Sequence, residues 1–99
     1  MKVYFFLSIV VAATLHAAVI SVPTDLPTIQ AGIDSASAGD TVLVWSGTYY
    51  EHLVIDRTLC LMGQAINTTV IDGSNWGDVV YISSSEVSVK NLTITHAGF

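Results

Sequence analysis

Positive charge is what this sequence lacks most. Its 99 residues hold three Lys or Arg against eight Asp or Glu, for a net charge of -5. Nucleic-acid binding needs clustered bases that displace counterions from phosphates, so that class is excluded. Lys2 falls in the leader described below, which leaves Arg57 and Lys90 to the rest of the chain. The one cysteine, Cys60, excludes an intrachain disulfide, and no CxxC or Cys/His pattern points to a metal. Charged residues make up only 11% of the chain, against roughly 25% in soluble domains, while 52% are hydrophobic. Burial of apolar surface therefore dominates, and a disordered chain is excluded.

No apolar run reaches the roughly 20 residues that cross a bilayer. The longest, Val3 to Ala13 interrupted by Ser8, follows Lys2 and is followed by Leu15, His16, Ala17 and Ala18. A short apolar core with small residues at its end is the pattern of a secretory signal peptide, assigned to residues 1–18 and cut after Ala17 or Ala18. The expected location is extracellular, periplasmic or on the cell surface, with no stable membrane span once the leader is removed. About 82 residues remain, a marginal length for an autonomous fold.

Residues 19–40 read as a strand and a capping helix. Val19 to Val22 are strand-like, and Pro23-Thr24-Asp25-Leu26-Pro27 is a punctuated turn. The spacing predicts a helix of roughly ten residues from about Thr28, with Leu26, Ile29, Ile33 and Ala36 on one face. Gly39 is expected to end it in the left-handed conformation. So short a helix is weak alone, so its apolar face is expected to cover the exposed end of a strand stack.

From residue 41 to 99 the apolar segments are short, β-branched and bounded by Gly, Asn, Asp or Ser, the signature of strands. They are Thr41–Trp45, Tyr49–Ile55, Leu59–Met62, Thr69–Ile71, Val79–Ile82, Val87–Val89 and Leu92–Thr95. Two-residue hairpin turns are largely missing between them, which favours a solenoid over hairpins. Leu53-Val54-Ile55 is echoed at Val80-Tyr81-Ile82, and Leu59-Cys60-Leu61 at Val87-Ser88-Val89, an offset of 27 or 28 positions. Thr69-Val70-Ile71 recurs around Thr93, about 22 residues on, near one coil of a parallel β-helix. Leu53, Ile55, Leu61, Ile71, Ile82, Val89 and Ile94 are the expected core, with Asp at Ile71 abolishing folding. The sequence stops at Phe99 amid the repeat, so residues 41–99 are read as the first coils of an incomplete stack.

Five short motifs in order carry a family resemblance: Pro23 to Gln30, Gly39 to Val44, Gly47-Thr48-Tyr49-Tyr50-Glu51, Leu61-Met62-Gly63, and Thr69 to Gly73. The chain resembles the start of pectin-lyase-like β-helix proteins. That resemblance implies an all-β solenoid, a right-handed parallel β-helix with an N-terminal capping α-helix. It also implies that catalytic residues sit on a groove of later coils, so no catalytic, cofactor or metal residue is assigned here. Calcium is a candidate only for such later coils. Secretion and the β-helix opening together suggest binding or processing of extracellular polysaccharide, by lyase, hydrolase or esterase chemistry if the full-length protein is an enzyme. The alternative is a non-catalytic, adhesin-like surface scaffold, since fold does not give function.

Individual residues add little chemistry. Asp72 and Asp78 flank a Gly-containing loop and suit calcium in type, but too few oxygens accompany them, so they are read as turn residues. Asp40, Asp56 and Glu51 are read as strand-edge residues, and His52 and His96 as surface positions. Cys60 is read as a structural thiol and Ser83, Ser84 and Ser85 as a solenoid turn. Trp45, Tyr49, Tyr50, Trp76 and Tyr81 suit stacking on sugar rings if they share an outer face. Asn67-Thr68-Thr69 and Asn91-Leu92-Thr93 match the glycosylation acceptor pattern, one that also arises by chance in a Thr-rich chain.

Overall fold

The computed structural model describes residues 17–98, so the expected leader, residues 1–18, lies outside the described residues apart from Ala17 and Ala18. Within that range the chain forms strand β1 (Val19–Val22), helix α1 (Ile29–Ser35), then β2 (Thr41–Val44), β3 (Gly47–Tyr50) and β4 (Leu53–Ile55). A second coil follows as β5 (Cys60–Gly63), β6 (Thr69–Asp72) and β7 (Val80–Ile82), and a third begins with β8 (Ser88–Lys90) and β9 (Thr93–Thr95).

Every strand pairing is parallel. Parallel neighbours cannot be joined by tight hairpins, so the chain winds round and stacks coil on coil. The three sheets run β1-β2-β5-β8, β3-β6-β9 and β4-β7. With β1 and α1 as a turn ahead of the three coils, the molecule is a parallel β-solenoid of about four turns with one short helix, as the echo of short segments predicts. Leu53 faces Val80 and Ile55 faces Ile82, while Leu61 faces Val89 and Ile71 faces Ile94.

Alternation within each strand sends every second side chain inward. Val42, Val44, Leu53, Ile55, Leu61 and Ile71 lose essentially all solvent contact. Helix α1 packs Ile29 and Ile33, together with its C-cap Ala36, onto the same core, while Leu26 of the expected face is only half-buried. The approach is close: a Cβ on Gly32 would lie 3.0 Å from Val22 Cγ2 and 3.1 Å from Val42 Cγ1.

Four expectations need correction. The segment Tyr49–Ile55 is two strands, not one, because the chain turns a corner at Glu51 and His52. Tyr49, Leu53 and Ile55 keep the same alternation phase through that corner, so period-two reasoning does not see it. The helix is seven residues, not ten, because Ala36 already has extended backbone. Gly39, at φ 89°, belongs instead to a Ser37–Asp40 turn, in which the Asp40 N–H donates to Ser37 O. Finally, Ile82 and Ile94 are each 44% exposed and Val89 is half-buried. They point inward, but among the described residues no strand stacks on β7, β8 or β9.

Candidate functional site

The ionisable side chains of the first coil hold the helix. The Ile29 and Gln30 backbone N–H groups donate to Glu51 Oε2 and Oε1 at 2.9 and 3.1 Å, satisfying helix donors that lack intrahelical acceptors. Thr28 Oγ1 accepts the Ala31 N–H at 3.1 Å, which makes Thr28 the N-cap. At the other end Arg57 Nη1 donates to the Asp34 and Ala36 carbonyls, while its Nε donates to Asp56 Oδ1 at 2.8 Å. That bond to Arg57 holds the Asp56 carboxyl below its ordinary range. Glu51 and Arg57 thus clasp the two ends of α1 from one coil away.

Asp40 is 6% exposed. Its Oδ1 accepts the Ala18 N–H at 2.9 Å and its Oδ2 the Ser37 N–H at 2.8 Å. These two bonds, Ala18 first, lower its pKa from 3.8. Sequence alone reads Asp40 as a strand-edge residue; its link across to Ala18 becomes visible only when β1 pairs with β2.

Aromatic and imidazole groups collect at the corner between the sheets β3-β6-β9 and β4-β7. The long connection from residue 73 to 79, after β6, carries Trp76, which is 61% exposed. The His52 ring lies against it, with centroids 3.7 Å apart and planes tilted by 34°. His52 Nδ1 is also 2.7 Å from the Asp78 carbonyl oxygen. Tyr50 stands beside Asp72 in the β3-β6 register and is 71% exposed. The loop is propped from below: Asn75 N–H donates to His96 O and Gly98 N–H to Gly77 O. A Cβ on Gly98 would collide with the Asn75 carbonyl and the Trp76 backbone, so only glycine passes under the loop.

Asp72 and His96, 24 positions apart, meet at 2.9 Å between Oδ2 and Nδ1. Oδ1 of Asp72 accepts the Ser74 N–H at 2.8 Å, and this bond, followed by His96, lowers the Asp72 pKa. With both oxygens engaged, Asp72 acts as a turn residue, and Asp78 contributes its carbonyl oxygen to His52. Among the described residues no group of three or more His, Cys, Asp or Glu could hold a metal ion. The Asp72–His96 contact was readable only through the register, because Asp72 faces Thr95 and His96 is the next residue.

The remaining candidates scatter. Tyr49 is half-buried and its hydroxyl donates to Trp45 O at 2.8 Å. Burial first, and the nearby Glu51 charge second, raise its pKa. Tyr81 stands beside Val54 on the β4-β7 sheet, both exposed. Cys60 is a half-buried free thiol. Ser83, Ser84 and Ser85 lie in the turn before β8. Asn67 and Asn91 are both exposed, while the Thr69 hydroxyl is buried and accepts the Ala65 N–H.

No protein-family model, curated protein or solved structure matches this chain. Among the described residues no helix is long and apolar enough to cross a membrane.

Proposed function

We propose that this chain forms the capped start of a secreted, right-handed, pectin-lyase-like β-helix protein that binds extracellular polysaccharide on its outer surface. The observation that carries the binding reading is the corner where Tyr50, Trp76 and His52 gather on and beside a loop propped by Gly98. Flat, exposed aromatic faces suit the apolar faces of sugar rings, and Trp76 is held by the His52 ring. A held Trp76 also loses less side-chain entropy on binding than a mobile one would.

Helix α1 supports the capping reading: it packs against β1, β2 and β4, and Glu51 and Arg57 hold it there. Right-handedness is favoured by the strand twist, which makes about 98% of parallel crossovers right-handed. The apolar run before Ala17 supports secretion. The excess of carboxylates argues for neutral glycans over polyuronates, because an acidic surface repels an acidic chain.

For the described coils the reading is binding without catalysis, and processing, if the whole protein performs it, falls to the later coils that the resemblance implies. Glu51, Asp40, Asp56 and Asp72 are each engaged by backbone N–H groups, Arg57 or His96, so none of them is poised as an acid or base.

The test is affinity electrophoresis of the purified secreted protein through gels containing a panel of neutral and acidic polysaccharides. Retardation by a neutral glycan, lost in Trp76→Ala with the melting temperature unchanged, is expected. No retardation by any glycan contradicts the binding reading, and release of oligosaccharides during the run contradicts the non-catalytic one.

A further inference from the structure

Two peptide bonds, Ala17–Ala18 and Ala18–Val19, fit the end of the leader equally by residue size, and the first coil treats them very differently. Ala18 is tied at both backbone atoms: its N–H donates to Asp40 Oδ1 at 2.9 Å, and its carbonyl accepts the Thr41 N–H at 2.9 Å. Cutting after Ala18 removes both bonds. Asp40, only 6% exposed, then loses a donor to one buried carboxylate oxygen, and the Thr41 N–H loses its acceptor. The new ammonium on Val19 would sit about 3.4 Å further along the strand, displaced from the carboxylate.

Cutting before Ala18 keeps both bonds and changes one of them. Water adds across the Ala17–Ala18 amide: the hydroxyl joins the Ala17 carbonyl carbon, and the freed Ala18 nitrogen takes up protons to become an ammonium. A neutral N–H on a carboxylate becomes a positively charged donor on the same oxygen, the stronger class of hydrogen bond. Asp40 in turn grips Ser37 at the foot of α1, and its carbonyl accepts the Cys60 N–H of the second coil. One residue therefore joins the chain terminus, the helix and two coils.

Resting on the leader reading above, we infer that leader removal cuts the Ala17–Ala18 bond, and that Asp40 is the buried counter-ion which locks the new Ala18 ammonium into the first coil. Processing thereby finishes the fold: the uncut chain has the hydrogen bond but lacks the ion pair.

The experiment is to express the whole chain with its leader in a secreting host and to determine the N-terminal residue and intact mass of the product. Ala18 as first residue is expected. Val19 or any other new first residue overturns this inference and leaves the leader reading standing, whereas retention of Met1 overturns both. The lock is tested on the same product with an amine-acylating reagent near neutral pH. The α-amine should react several-fold more slowly than in Asp40→Asn, and the acetylated protein, which keeps an N–H but no charge, should melt lower than the free one. Equal rates and equal melting temperatures overturn the lock. Should Asp40→Asn fail to fold, the comparison of acetylated with free protein decides it alone.

Discussion

The Gln30 carboxamide and the Val54 peptide exchange two hydrogen bonds, Gln30 Nε2 to Val54 O at 3.0 Å and Val54 N to Gln30 Oε1 at 2.8 Å. A side chain on α1 thereby does for β4 what a neighbouring strand would do. It closes the β4 edge on the helix side, where the first turn has a helix in place of a strand. Gln30→Ala should cost about 1–2 kcal/mol, in line with two exchanged hydrogen bonds that water partly replaces. Gln30→Glu should cost a similar amount, because it removes the donor to Val54 O. Denaturant unfolding of the purified protein measures both.

Carboxyls with lowered pKa set an acid limit. A carboxyl held below its unfolded pKa contributes stability that is complete above the unfolded value and is lost as pH falls through the folded one. Asp40, lowered from 3.8 by its bonds to Ala18 and Ser37, and Asp72, lowered by Ser74 and His96, both behave this way. The melting temperature should be flat from pH 7 down to about 4.5 and fall below about 4. Asp40→Asn should start lower and show a shallower acid fall in the same titration.

Gly63 lies beneath the third coil. A Cβ there would collide with the Asn91 carbonyl oxygen, and 2.9 Å separates it from Leu92 Cβ. Gly63→Ala should push β8-β9 off β5-β6 and destabilise the fold by about 3 kcal/mol or more, the range of overpacking with backbone displacement. Limited proteolysis should then cut between residues 83 and 98 before it cuts the first coil.

Register partners differ in energy according to whether a further coil covers them. Ile55 is fully buried, while its partner Ile82 is 44% exposed. In these 99 residues expressed by themselves, Ile55→Ala should cost about 2–5 kcal/mol, and Ile82→Ala well under half of that. Similarly, Ile71→Asp should abolish folding, whereas Ile94→Asp should leave a folded protein. Circular dichroism distinguishes the two.

How much of this was visible beforehand depends on the range of the interaction. The 27-residue echo between Leu53-Val54-Ile55 and Val80-Tyr81-Ile82 is the actual strand register, because stacking makes like sit on like. The start of α1 was legible from Thr28, whose side chain caps locally. Its end was not, because Arg57 draws out the last helical carbonyls from more than twenty positions away. The corner at Glu51–His52 was hidden by unbroken alternation. The Trp76–His52 stack, the Asp72–His96 contact and the Asp40–Ala18 bond all join residues 22 to 24 positions apart. Such spacings mean contact only once the length of each coil is known. Ile82 and Ile94 were misassigned for the complementary reason: alternation tells which way a side chain points, not whether anything lies over it.

The stacking of coils in parallel register is the claim on which the rest depends, and Cys60 offers a direct test. It faces Ser88 across β5 and β8, at a parallel strand separation of about 4.8 Å, within the span a disulfide bridges. Ser88→Cys, mildly oxidised at low protein concentration, should form an intramolecular disulfide with Cys60, seen as a loss of two free thiols in a monomer. Glu86→Cys should leave both thiols free. Efficient bridging from Glu86→Cys with none from Ser88→Cys would contradict the register and the solenoid built on it.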